Sequence, residues 1–276
     1  MVSAKSDKLD AALRILAISV VCASVLSCAG PAFSRSWIED ALQDAAASGT
    51  YCGEQAAAIE GTLDRMRTVA LPDRGRFLFI NTASQTLIAY EDGDPVLQSR
   101  VVVGKEGWET PDFQTQATFV EFNPTWTVPQ SIATSSGMFS KGAAWWEAQD
   151  MDVRLADGSI VAPDRVGDRK PVGFVQRPGP DNALGRVKIG LSGTGGILLH
   201  DTNDRGAFGE GARALSHGCI RVEEASAVAD YVMNGAPGSA EGLISSGETT
   251  RISASMPVVI AYFTALPDES GRITFF

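Results

Sequence analysis

The chain has 276 residues, 44% hydrophobic and 20% charged, which is ample for one sizeable core, and nothing in it marks a second domain. Its formal net charge is −10 with no Lys/Arg-rich run, so nucleic acid is excluded as a partner because a polyanion would be repelled. With only two histidines and four cysteines, imidazole and thiol chemistry has few places to sit.

In chain order, Lys5, Lys8 and Arg14 precede an apolar run from Ile15 to Leu26. That run is short for a bilayer span and suits a secretory signal. Residues 1–34 therefore predict export, with Ala32-Phe33-Ser34 as a cleavage site. Val25-Leu26-Ser27-Cys28 is an imperfect lipobox, which keeps open a lipoprotein or an inner-membrane anchor. Cys22 and Cys28 fall in or beside this segment, leaving Cys52, expected half-buried at a helix boundary, and Cys219. No structural disulfide is expected, even in an oxidising compartment.

Residues 35–70 read as two supporting helices. Ser36 and Glu39 suggest a capping box, Gly49 a stop, and Ile59, Leu63 and Met66 recur at helical spacing. After Pro72 the period shifts to strands at 77–80, 85–90, 96–103 and 117–122, separated by turn residues. Further strands are expected at 172–176, 186–189, 196–200, 257–264 and 272–276. Between them, residues 133–177 lack a clear register and carry the pair Trp145-Trp146, which predicts an inserted subdomain. Glu223 and Glu224 open a helix with Ala227, Val228, Tyr231 and Val232 on one face, ending at Gly235. Cys219 is thereby placed just ahead of a helix N-terminus, whose partial positive charge would lower the thiol pKa.

Both histidines lie in one stretch, Gly196-Ile197-Leu198-Leu199-His200-Asp201 and Ser216-His217-Gly218-Cys219-Ile220-Arg221. A thiol attacks an acyl carbon efficiently when an imidazole within hydrogen-bond reach takes its proton. His200, at the end of an apolar strand, is the rigidly mounted candidate base; His217 is placed to shape the loop. Gly218 permits a tight turn, so that the N–H groups of Gly218 and Cys219 could face an oxyanion. A zinc site from His200, His217 and Cys219 is the competing reading, disfavoured by the lack of a Cys-x-x-Cys pair or fourth ligand.

These motifs resemble the L,D-transpeptidase catalytic domain family, the cysteine enzymes that remodel bacterial peptidoglycan. Phe122-Asn123-Pro124-Thr125-Trp126-Thr127-Val128-Pro129-Gln130-Ser131-Ile132-Ala133 and Pro178-Gly179-Pro180-Asp181-Asn182-Ala183-Leu184-Gly185-Arg186-Val187-Lys188 resemble segments of its larger Gram-negative members. The likeness covers roughly residues 71–276, with no peptidoglycan-binding module in view. It implies a mixed α/β, β-rich sandwich-type catalytic domain whose insertion at 133–177 caps the site. It further implies Cys219 as nucleophile, His200 as proton donor and acceptor, and Ser216, His217 and Gly218 around the nucleophile loop and oxyanion hole. Arg221, Asn182, Arg186, Trp126, Trp145 and Trp146 are the candidate substrate-binding residues, with the tryptophan pair either covering the donor or anchoring the insertion. The implied activity is 3→3 cross-linking of stem peptides in the periplasm, a donor tetrapeptide losing D-alanine to an acceptor amine, with no metal or cofactor and with carbapenem acylation of the thiol. L,D-carboxypeptidase activity, attachment of an outer-membrane protein, and a non-catalytic wall-binding module remain as alternatives.

Overall fold

The computed structural model describes residues 34–276, so the expected export segment, with Cys22 and Cys28, lies apart from Ser34 outside the described residues. No described helix is long and apolar enough to cross a membrane. The elements in order are α1 (Arg35–Ala47), α2 (Glu54–Met66), β1 (Arg76–Asn81), β2 (Thr86–Glu91), β3 (Asp94–Gly104), β4 (Phe113–Phe122) and β5 (Trp126–Thr127). Next come α3 (Gln130–Ser135), α4 (Ala143–Ala148), β6 (Met151–Leu155), β7 (Ile160–Val161), β8 (Pro171–Gln176), β9 (Val187–Leu191) and β10 (Leu198–His200). The last are β11 (Ala214–Ser216), β12 (Ile220–Val222), α5 (Ala225–Met233), α6 (Ser239–Ser245), β13 (Thr250–Ala261), β14 (Ala265–Pro267) and β15 (Ile273–Phe275).

The main sheet runs β11-β3-β12-β10-β9-β4-β13-β1-β2, and β2 also pairs with β3. Strand β3 is long enough to serve both edges. Its first residues pair with β2, from Glu91↔Asp94 to Thr86↔Arg100, while Val101 and Val102 pair with Val222 and Arg221. The expected sandwich is thus one sheet folded over and joined through β3. Strict alternation sorts its side chains. Leu78, Ile80, Val120, Ile189, Leu199, Ile220 and Val258 point inward, where they meet Ala225, Val228, Ala229 and Val232 of α5 and Ile244 of α6. Phe77, Phe79 and Val259 point outward onto Ile38, Leu42, Ile59 and Met66 of α1 and α2. Thr62, fully buried, fastens α2 to the C-terminal strands, its Oγ1 accepting from the N–H groups of Thr264 and Ala265.

Several expectations shift. The N-cap of α1 is Ser34, whose Oγ accepts from Trp37 N–H, and not Ser36, because the helix begins two residues earlier than the Ser36–Glu39 spacing implies. Cys52 is exposed, since the turn before α2 carries it off the core. Strand β13 starts seven residues ahead of Pro257; small polar residues and a register shift between Ser253 and Met256 hide its alternation.

The insertion is a folded unit with its own sheet, β5-β8-β6-β7. Val128, Met138, Trp146, Met151, Val153, Leu155 and Phe174 form its core. Its exit is tied down by Arg177, which bridges Glu147, Asp150 and Asp152, and by Asn182.

Candidate active site

Strands β10 and β12 run parallel, with Leu199 opposite Ile220 and His200 opposite Arg221. Leu199 and Ile220 are fully buried in the core, so alternation places His200, Arg221 and, one residue before Ile220, Cys219 on the outer face. His200 is buried, 7% exposed, and its Nδ1 lies 2.5 Å from the Asp201 carbonyl. A carbonyl only accepts, so Nδ1 carries the proton and Nε2 is the basic atom. Burial holds this imidazole down at about 4; the bond to the Asp201 carbonyl opposes the shift and the Arg221 charge adds to it.

The Cys219 thiol sits 3.8 Å from the Gly196 carbonyl. Burial pushes its pKa up, against smaller lowering effects of the Leu198 backbone and the Arg221 charge. One sequence expectation fails here. Strand β12 separates Cys219 from α5, so the thiol does not sit at that helix's N-terminus, and at rest it bonds to the Gly196 carbonyl. His217 is exposed, its ring edge-on to Trp108 with centroids 5.0 Å apart. The resting site therefore pairs a neutral thiol with a neutral imidazole.

Ser216 closes the nucleophile loop. Its Oγ donates to the Cys219 carbonyl at 2.5 Å and accepts from Gly218 N–H at 3.1 Å. The Gly218 N–H is thus already engaged, so it is not the free oxyanion donor the sequence suggested. Gly218 has φ +104, a conformation that excludes a side chain without strain. Its carbonyl accepts from Thr110 Oγ1 at 2.8 Å, and that hydroxyl oxygen in turn accepts from Gly104 N–H at 3.0 Å. A second clasp is Lys105 N–H to the Ser216 carbonyl. Thr110, Lys105 and Trp108 went unnoticed in the sequence because they lie more than 100 residues upstream of the loop they hold.

Asp201 supports the histidine strand. Its carboxylate accepts from Arg186 N–H at 3.0 Å and from Arg205 Nη1 at 3.1 Å. Gly185, at φ +60, must stay small, since a Cβ there would lie 2.4 Å from Asp201 Oδ2. Arg221 Nη1 meets Asp204 at 3.2 Å.

The remaining candidate substrate residues divide. Arg186 is exposed, although the contacts that tie the strand are those of its backbone. Asn182 is 1% exposed and donates to the Pro124 and Arg177 carbonyls, so it is a structural staple and not a surface a ligand could touch. Trp146 is likewise corrected: it is 6% exposed, its Nε1 donates to Met138 O, and its ring packs on Phe174. Trp126 and Trp145 are half-buried against the same insertion core, with Lys141 over the Trp145 ring. Of the two roles open to the tryptophan pair, covering the donor or anchoring the insertion, Trp146 has the anchor's contacts.

A sheet face carrying a buried imidazole beside a loop-mounted thiol defines a site suited to acyl chemistry. Residues 75–260 match the model of the L,D-transpeptidase catalytic domain, and the chain belongs to that family. It is 31% identical over 222 residues to a Haemophilus influenzae protein named "Putative L,D-transpeptidase", a match covering 76% of this chain. The chain spans only 45% of that relative's length. Among solved structures, an L,D-transpeptidase from Mycobacterium smegmatis is 13% identical with a TM-score of 0.34, covering 67% of this chain and 58% of its own. The catalytic domain of an E. faecium L,D-transpeptidase acylated by ertapenem is 16% identical with a TM-score of 0.33, covering 68% and 98%.

Proposed function

We propose that this chain is an exported L,D-transpeptidase that joins peptidoglycan stem peptides by 3→3 cross-links through a Cys219 acyl-enzyme. The observation that carries this reading is the placement of Cys219 and His200 on one outer face of adjacent parallel strands, within a family-matched domain. On substrate binding the thiol gives up its weak bond to the Gly196 carbonyl and passes its proton to His200 Nε2. The sulfur bonds to the carbonyl carbon of the stem's L-centre, and the Cys219 N–H faces the oxyanion, since that of Gly218 is engaged. The carbon–nitrogen bond then breaks, His200 returns the proton to the departing D-alanine amine, and a thioester remains. A second stem's amine attacks this thioester, loses a proton to His200 and restores the thiol.

The insertion leaves the sheet after β4 and returns at β9, whose Lys188 stands opposite His200. Rising from strand ends beside the reactive pair, it serves as a cover that keeps water from the thioester.

The test is incubation with a tetrapeptide stem followed by mass spectrometry of the products. The expected result is D-alanine release with a cross-linked dimer, and a carbapenem adduct on the intact protein, all lost in a folded Cys219→Ala variant. D-alanine release surviving in that variant would overturn the mechanism. Tripeptide alone would turn the reading to an L,D-carboxypeptidase.

A further inference from the structure

The registers of five strands line up one row of side chains across the outer face. Arg221 is opposite His200, His200 opposite Lys188, Lys188 opposite Glu121, and Glu121 opposite Arg251. A second row runs beside it, where Leu198 faces Gly190, Gly190 faces Phe119, and Phe119 faces Ser253, with Cys219 flanking Leu198. The reactive groups therefore stand at one end of a two-row floor extending over β9, β4 and β13.

The far end of that floor is built around a cation cluster. Phe119 lies over Gly190 so closely that a Cβ there would come within 2.0 Å of its ring. Arg251 stacks at 3.4 Å from the ring centroid and Lys188 at 5.6 Å. Glu121 sits between the cations, 3.2 Å from Lys188 Nζ and 3.8 Å from Arg251 Nη1. One carboxylate thus balances two cations, and the surplus positive charge lies on the catalytic face of a chain whose net charge is −10. The Arg251 side chain is 58% exposed, so its guanidinium faces solvent.

We infer that Lys188 and Arg251, braced by Glu121 and Phe119, form a subsite that reads a free carboxylate on the stem peptide bound at Cys219. This rests on the stem-peptide reading above and deepens it. A peptide held with its reacting carbonyl at Cys219 crosses β10 and β9 at about 4.8 Å per strand, which brings a carboxylate two or three bonds off its backbone to these cations. A chain repelling acidic ligands in bulk needs such a local attraction to hold one. Arg186, the cation the sequence favoured beside Arg221, lies past the strand end; Lys188 is the cation in the row.

The experiment measures binding of a tetrapeptide stem, with its side carboxylates free or amidated, to the Cys219→Ala protein, and separately D-alanine release by the Cys219 enzyme. Arg251→Gln is expected to weaken binding of the free-acid stem about fivefold and Lys188→Met about tenfold, since each leaves Glu121 one cation and cancels the surplus charge. The amidated stem should bind all three proteins alike, and the iodoacetamide alkylation rate of Cys219 should not change in either cluster variant. Equal weakening for both stems, or none for either, would overturn the subsite. Because binding is read without turnover, an absence of D-alanine release would count against the transpeptidase reading alone.

Discussion

At the residue scale, His200 makes the chain's stability depend on acidity. In the unfolded chain an imidazole takes up a proton near 6.5, whereas burial keeps the folded one neutral to about 4. Between those values the unfolded state binds the extra proton, so this residue's contribution to stability is level above pH 6.5, falls as pH drops, and has lost on the order of 3 kcal/mol by about pH 4. Urea midpoints from pH 7 to 4.5 should show this slope, and His200→Gln should flatten it. An unchanged slope in that variant would place the titrating group elsewhere. Thr110 offers a different test, because one hydroxyl serves both Gly104 N–H and the Gly218 carbonyl. Thr110→Val leaves two buried backbone groups unmatched, at about 1–3 kcal/mol each. We expect kcat for D-alanine release to fall about tenfold or more with KM little moved, and Thr110→Ser to restore it. A KM effect alone would mean that the loop geometry does not set the rate. Nothing near Thr110 in sequence announces this role, whereas Cys219 and His200 stood out because the chain has so few thiols and imidazoles.

At the scale of elements, what could be read in advance followed periodicity. Strands β1 to β3 alternate between helix layers on either face, and their turns carry Asn81 and Asp92-Gly93, so their limits were legible within a few residues. Strands β11 and β12 were not, being three residues each and defined by their pairing, β11 with β3 and β12 with β3 and β10. In the insertion the signal was present but short: Met151, Val153 and Leu155 are buried and alternate with Asp152 and Arg154. Its separate core makes it separable in energy. Trp146→Ala removes a buried indole and its bond to Met138 O, a change worth about 3–5 kcal/mol. Amide exchange should then quicken across 126–176 while β9 and β10 stay protected, and thioester loss to water should rise relative to cross-linking. If exchange quickened there with the product ratio unchanged, the insertion would be an ornament and not a cover.

For the whole molecule, the layer of α1 and α2 belongs to the same body as the sheet, although the family match begins only at residue 75. Phe77, Phe79, Tyr90 and Val259 would otherwise face water. A chain lacking residues 35–70 should therefore be markedly less stable and prone to associate through that face, as sedimentation would show. The pairing of β1 with β13 carries a further consequence, for time. Leu78 is matched to Val258 in parallel, nearly the whole domain apart in sequence, and the fold-over through β3 joins residues about 120 positions distant. Contacts of such long range slow folding, because chain entropy is lost before they form. The sheet cannot be completed while β13, which joins β1 to β4, is still emerging from a ribosome. The polypeptide is thereby left without its completed sheet until synthesis is nearly over.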